Sequence, residues 1–469
     1  MKRTLYNEDH EAFRQTVRDF IAKEVVPVYP EWEEAGHPPR EFYNRMGELG
    51  LLGIQVPEEY GGGGETSLKF NVILAEEASA AGVSFGSSSV HSNLILPYIM
   101  QNATEEQKQR WLPGFASGEL MFAIAMTEPG TGSDLANIAT TAKLSEDGSH
   151  YVLNGAKTFI TGGALADRIL VVARTSPYNP EDRRGGLSIL VVDTRSEGFA
   201  VGRKLHKIGL KASDTAELAF DDVKVPVADL LGKEGEAFSY LTQNLAQERL
   251  TIAFGAAATA AAAIQHAIAY TKDRKVFGKP VAAFQNTKFV LAECSAELQA
   301  LQIMVDNAIE LNDRGELTVP DAARAKLFAT ETAGRIIDKC LQLHGGYGYI
   351  TEYPIARLYA DTRVTRIYGG TSEVMKTIIA KDLGCRSSVV LRWSEPRYPG
   401  FTPPKAFPTI VSRHAVSRED QEGDRSPPEQ FVRPGCRGRW WRTKAGRLQV
   451  RRIRWWRGCS LRAAAARDG

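Results

Sequence analysis

The hydrophobic period of this chain changes twice, and no other feature restricts its possible folds as strongly. Residues 8–26 place Phe13, Val17, Phe20, Ile21 and Val25 on one helical face with charges opposite, and similar helical patterning runs to about Gly118. From about Met121 to Leu231 short segments rich in Val, Ile, Thr and aromatics alternate with turns: Tyr151-Val-Leu153, Lys157-Thr-Phe-Ile-Thr161, Ile169-Leu-Val-Val-Ala173, Leu187-Ser-Ile-Leu-Val-Val192 and Ala216-Glu-Leu-Ala-Phe220. The pairs Asn154-Gly155 and Gly162-Gly163 read as turns between them, so this stretch predicts an antiparallel β-domain. Helical periodicity returns near Glu234 and lasts to Leu383. The order is helix, β, helix: an α+β multidomain chain with an all-α domain at 1–118, a β-domain at 119–232 and a second helical domain at 233–384.

Within that frame, the four glycines at 61–64 follow no strand-like run and open no helix, so they read as a flexible connection rather than a phosphate cradle. The Ala-rich stretch 253–269 permits either close helix packing or room for a ligand. No Gly-x-Gly-x-x-Gly follows a strand, which disfavours a Rossmann cofactor site.

Charge divides the chain differently. From Cys385 onward there are 19 Lys and Arg against 7 Asp and Glu, whereas residues 1–384 carry a net charge of −10; five of the seven Trp also follow residue 385. The last 85 residues hold Arg439-Trp-Trp-Arg442 and Arg451-Arg-Ile-Arg-Trp-Trp-Arg457 but little sustained periodicity. Arg and Trp so mixed suit nucleic acid or an anionic membrane; the reading preferred here is non-native coding by frameshift or readthrough in GC-rich DNA, with disorder expected. No nucleic-acid or membrane partner is expected for residues 1–384. No apolar run reaches the length of a membrane span, the first ten residues lack the pattern of a secretory or transit signal, and the five cysteines form no Cys-x-x-Cys or Cys/His cluster. These features lead to the expectation of a cytoplasmic protein with neither a disulfide framework nor a metal site.

Four separated motifs carry the chemistry. Met126-Thr-Glu-Pro-Gly-Thr-Gly-Ser-Asp134, Asn154-Gly-Ala-Lys-Thr-Phe-Ile-Thr161, the run from Arg274 through Phe277 and Gly278 to Gln285, and the pair Gln342-Leu-His-Gly-Gly346 with Tyr368-Gly-Gly-Thr-Ser-Glu373 occur in order. Together they resemble the signature elements of the acyl-CoA dehydrogenases, most closely the long-chain members at Gln247-Glu-Arg-Leu250 and at residues 368–371. The resemblance covers residues 8–384 and implies a four-helix-bundle-like fold for the C-terminal α domain, FAD as cofactor, an acyl-CoA substrate, an electron-transfer flavoprotein as acceptor and a homotetramer. It implies that Met126 and Thr127 meet the isoalloxazine edge and that Phe159, Ile160 and Thr161 line its other side. Arg274, Phe277 and Gln285 are then expected at the pyrophosphate and adenosine end across a subunit contact, with Gln342, Gly345, Gly346, Thr371 and Glu373 completing the flavin set. Ser133, Gly163, Gln247, Arg249 and Gly370 are implied near substrate, Ser133 also near the cofactor. Taken singly, Arg274 reads as a solvated charge and Gly345-Gly346 as a turn; the ordered set shifts both to flavin contact.

The reaction so implied needs a base for the α-proton of a thioester, with a pKa raised by an apolar setting. Many members of the family carry that Glu after the Tyr of a Tyr-Glu-Gly-Thr segment, where this chain has Gly369. Glu248 stands at the alternative base position of the long-chain and isovaleryl-CoA dehydrogenases. Its plainer reading is a carboxylate in a helix's first turn, with Asn244 and Gln247 as a capping pair. Gly369 keeps its backbone N–H, which in the family polarises the thioester oxygen. His91 and His344 are read as structural. Two rival functions share the motifs: an acyl-CoA oxidase passing electrons to oxygen, and an inactive flavoprotein scaffold.

Overall fold

The computed structural model describes residues 3–385; the basic segment after Cys385 lies outside the described residues. Six helices come first: α1 (Glu8–Phe20), α2 (Tyr29–Ala35), α3 (Arg40–Glu48), α4 (Lys69–Ala81), α5 (Leu96–Asn102) and α6 (Glu105–Ser117). Asn7 caps α1 by accepting from the His10 N–H, and Thr104 with Gln107 forms a reciprocal capping box on α6. The expected apolar face is present, with Val17, Phe20, Ile21 and Val25 buried and α1 continuing as a π-helical turn over Ile21–Val25. Residues 61–64 do not form the expected flexible link. A Cβ on Gly62 would lie 2.1 Å from the Val56 carbonyl oxygen, and Gly63 and Gly64 donate to Gly53 and Val56, so the glycines are there for close backbone packing.

Eight strands follow: β1 (Phe122–Ala125), β2 (Thr141–Leu144), β3 (His150–Thr161), β4 (Arg168–Arg174), β5 (Leu187–Asp193), β6 (Phe199–Lys204), β7 (Thr215–Pro226) and β8 (Leu230–Leu231). They form one sheet in the order β6-β7-β3-β2-β4-β5-β8, with β1 paired to β4. The long ladders are antiparallel, whereas β1 runs parallel to β4. Two segments predicted as separate strands are one: Asn154-Gly155 is not a turn but a register shift within β3. Asn154 stabilises that irregularity by exchanging two hydrogen bonds with Asp222, which sits at φ +51° on β7. A second shift, between Lys157 and Ile160, places Phe159 at φ +60°.

The third layer is helical, with α7 (Ala237–Asp273), a two-stranded hairpin of β9 (Lys275–Val276) and β10 (Lys279–Pro280), α8 (Gln285–Asp313), α9 (Val319–His344), α10 (Pro354–Thr362) and α11 (Ser372–Asp382). Over part of its length α7 is apolar enough to cross a membrane, but its small residues are core: Ala253, Ala257, Ala260 and Ala263 are buried in one cluster with Ala325, Ala329 and Ala333 of α9. Of the two uses open to the Ala-rich stretch, close helix packing is the one realised. Among the described residues no Asp, Glu, His or Cys cluster could hold a metal, and Cys294, Cys340 and Cys385 are free thiols.

Candidate active site

Two carboxylates with oxygens sheltered from solvent organise the site. The first is Glu128, in the segment that leaves β1. Lys157, whose side chain is inaccessible to solvent, donates to Glu128 Oε1 at 2.9 Å and to the Met126 carbonyl at 3.0 Å. The N–H groups of Ala139 and Thr140 donate to Glu128 at 2.8 and 3.0 Å, and the Thr158 N–H donates to the Thr127 carbonyl at 2.9 Å. Burial alone would raise the Glu128 pKa, but Lys157 and the backbone donors outweigh it and hold the group below the usual carboxylate value. Two of the sequence motifs are thus tied into one rigid unit that fixes Met126 and Thr127.

The bulge in β3 then turns Phe159 outward, where it is 68% exposed, while strand alternation sends Ile160 into the sheet core and Thr161 back toward the surface. The expectation that Ile160 lines a flavin is corrected accordingly: only its backbone can. Gly163 belongs to the following turn, its N–H bonded to the Ile160 carbonyl, and Ser133 is exposed.

The second carboxylate is Glu248. It lies in the interior of α7, far from the helix start at Ala237, and Asn244 donates to the Tyr240 carbonyl instead of capping anything. A first-turn role for Glu248 is therefore ruled out. The residue as a whole is half-buried, yet its Oε2 is shielded from solvent and has no hydrogen-bond partner. Burial pushes the Glu248 pKa up against the pull of Arg249 and Lys326. Arg249 is buried too, with Nε and Nη1 unpartnered, and Gln247 Nε2 reaches the Asn93 carbonyl at 3.4 Å.

Gly369 faces this carboxylate from the turn before α11, and it and Gly370 lie at φ +63° and +92°. A Cβ on Gly369 would stand 2.3 Å from Ile252 Cδ1 and 3.3 Å from Glu248 Oε1. The space that a side chain at 369 would need is already taken by the α7 residues, which explains why a glycine stands there. No acceptor for the Gly369 N–H occurs among the described residues. Thr371 uses its hydroxyl to cap α11 at Val374, and Glu373 is exposed in that helix's first turn.

A third assembly lies at the far end of α7. Arg274, Gln342, His344, Gly345, Gly346 and Tyr347 line a cavity of about 540 Å³. The Arg274 guanidinium lies 5.5 Å over Tyr347, His344 stacks on Tyr270 with ring centroids 4.4 Å apart, and His344 Nδ1 is spent on the Cys340 carbonyl. Nothing stands within 4 Å of a Cβ position on Gly345 or Gly346, so the backbone there is open to an approaching ligand. Phe277, at φ +50° and 95% exposed, projects from the adjoining hairpin; Gln285 begins α8 on the exposed side and does not line the cavity. His91 is structural: it accepts from the Phe122 N–H, donates to the Phe115 carbonyl, and is pushed by burial to a pKa of about 3.

These features suit FAD. An open cationic and aromatic cavity matches a dinucleotide, and outward aromatic residues held at positive φ match a large planar partner that would cover them. Sequence reasoning missed Lys326, whose Nζ donates to the Gly370 carbonyl. Its signal was a lysine placed among Ala322, Ala325 and Ala329, on the apolar face of α9.

Comparison with known proteins converges on one family. Residues 7–119, 123–223 and 235–384 match the family models for the acyl-CoA dehydrogenase N-terminal, middle and C-terminal domains. The long-chain specific acyl-CoA dehydrogenase of Sus scrofa mitochondria is 44% identical over 385 residues, 81% of this chain and 88% of the relative. A caffeyl-CoA reductase-Etf complex subunit from Acetobacterium woodii is 36% identical, covering 80% of this chain and 98% of its own length. The crystal structure of an acyl-CoA dehydrogenase from Geobacillus kaustophilus superposes with a TM-score of 0.78 at 47% identity, over 81% of this chain and 98% of that one.

Proposed function

Because the chain belongs to the acyl-CoA dehydrogenase family, FAD-dependent oxidoreductases acting on CH–CH bonds, we propose that it oxidises a saturated acyl-CoA to the trans-2-enoyl-CoA with Glu248 as base. Bound FAD supplies the acceptor for the hydride that leaves Cβ. Glu248 takes the proton from Cα, and the Gly369 N–H polarises the thioester oxygen so that the developing enolate is stabilised. The observation that carries this reading is Glu248 Oε2, a shielded carboxylate oxygen with no partner, beside a glycine turn whose N–H is free. A structural carboxylate in such a setting would be paired, as Glu128 is.

In this reading Met126, Thr127 and Phe159 hold the isoalloxazine, and Arg274, Gln342, Gly345 and Gly346 hold the pyrophosphate and adenosine. Arg249 and Gln247 support the base, while Ser133 and Gly370 lie along the substrate. Phe277, Gln285, Thr371 and Glu373 complete flavin contacts in a homotetramer, an assembly that would also cover the exposed Phe277 ring. The electron acceptor is an electron-transfer flavoprotein, supported by the Etf-complex subunit among the relatives. The pathway is fatty-acid β-oxidation or related acyl-CoA catabolism. Anaerobic titration of the FAD-loaded protein with saturated acyl-CoAs of increasing length tests the assignment: the flavin should bleach with at least one of them. Absence of bleaching across the series would refute it, and peroxide release without an added carrier would favour the oxidase.

A further inference from the structure

The chemistry above leaves one buried cation without a task. Lys326, on α9, is 1% exposed, and its Nζ donates to the Gly370 carbonyl. Its Cε lies 3.6 Å from the Cβ position of Gly369, the same position that lies 3.3 Å from Glu248 Oε1. Lys326 and Glu248 therefore converge on Gly369. An ammonium group has three donors, and no carboxylate forms an ion pair with this one among the described residues. An apolar side chain would fill the same volume without the cost of burying a charge, so packing does not account for a lysine here.

We propose that Lys326 is a positioning residue for the reaction: its bond to the Gly370 carbonyl holds the turn that aims the Gly369 N–H, and its charge keeps Glu248 ionised and ready to accept a proton. This rests on Glu248 being the base. The charged and titratable groups facing Glu248 are its α7 neighbour Arg249, Lys326 from α9, Tyr98 from α5 and Tyr368 from the glycine turn. Only Lys326 also binds the turn. Burial lowers the Lys326 pKa to about 8, with Glu248 opposing and Arg249 adding to the fall, so the ammonium form prevails at neutral pH.

The two roles separate by substitution. Lys326→Gln keeps a donor for the carbonyl but removes the charge, Lys326→Met removes both, and Lys326→Arg keeps the charge. The measurement is the anaerobic rate of flavin reduction by a saturated acyl-CoA as a function of pH, for each FAD-loaded variant. Its substrate-free companion is infrared titration of the Glu248 carboxyl, identified by difference from Glu248→Gln. Loss of a facing cation should move the acid limb, and the infrared midpoint, upward by about one pH unit in Lys326→Gln, with KM little changed. Lys326→Met should show the same shift and lose about a further tenfold in plateau rate as the N–H loses its aim. Lys326→Arg should restore the limb. If Lys326→Met does not accumulate in folded form, Lys326→Gln alone decides the electrostatic role. An unmoved limb and midpoint in Lys326→Gln, beside an inactive Glu248→Gln, overturn the proposal for Lys326 and leave the base intact. A Glu248→Gln protein that reduces its flavin at the wild-type rate overturns the base assignment itself.

Discussion

Glu128 and Glu248 are both carboxylates sheltered in the protein interior, and their surroundings differ in almost every respect. Glu128 has a lysine at 2.9 Å and two backbone donors, and its pKa is held low. Glu248 has an oxygen without any partner, and its pKa is raised. The protein pairs both oxygens of the carboxylate that shapes a loop and leaves open the one beside the free N–H of Gly369. In water the two would be equivalent. Inside the fold, pairing decides which is scaffold and which is reagent.

The largest effect that can break this contrast is on rate. Glu248→Gln should bind FAD and acyl-CoA with the fold intact, yet reduce flavin about 10²–10⁴-fold more slowly. Stopped-flow reduction at saturating substrate measures it; a near-normal rate would mean that Glu248 is only another buried polar group.

Next comes stability. Lys157→Met leaves Glu128 charged in the interior with only its backbone donors, and breaking a buried ion pair this way typically costs about 3–5 kcal/mol. Denaturant unfolding should show a loss of that order, with weakened FAD retention as Met126 and Thr127 lose their anchor. A Lys157→Met protein as stable as wild type would place the pair among ornaments of the loop.

Acidification should separate the two groups. The Glu248 pKa is raised, so the ionised base is lost, and the rate falls, as pH drops through a value above the ordinary carboxylate range. Protonating Glu248 does not destabilise the fold, because its charged form is the one burial disfavours. The folded-state pKa of Glu128 is depressed, so its contribution is present above the unfolded value of about 4.3 and fades as pH falls below that through the folded value. Flavin reduction should therefore fail at a higher pH than thermal stability does. Coincident losses would show that unfolding, not protonation of a base, sets the acid limb.

The sequence made much of this arrangement legible, and what it hid has identifiable physical reasons. The three-layer order followed from the change of hydrophobic period, and the ordered motifs lie along the elements now seen to meet. Asn154-Gly155 misled because a turn dipeptide and a bulge use the same backbone freedom, and only the partner strand distinguishes them. Ile160 was grouped with Phe159 because a motif has no faces, whereas a strand does. For Glu248 the plainer reading as a first-turn acid, weighed against the role of base, falls because its helix begins eleven residues earlier at Ala237. Lys326 passed unnoticed since its partner is the carbonyl of Gly370, 44 residues away. The bulge at Asn154-Gly155 and the role of Lys326 both depend on partners distant in sequence.

The smallest effect expected tests why the carboxylate near Gly369 comes from α7. Gly369→Ala introduces a Cβ at φ +63°, which costs about 1–2 kcal/mol for an L-residue, and sets that carbon 2.3 Å from Ile252 Cδ1. The Ile252 methyl is the free end of a side chain and can rotate away, so the clash should add only modestly. Ile252→Val deletes that methyl at a cost of about 0.5–1.5 kcal/mol. If crowding by Ile252 is what excludes a side chain at 369, the two changes will not add: the double variant will be more stable than the sum of the single losses predicts. Unfolding measurements on the four proteins of that cycle supply the coupling. Strict additivity would mean that Gly369 answers only to its backbone angle, and that a carboxylate at 369 could share the site with Glu248.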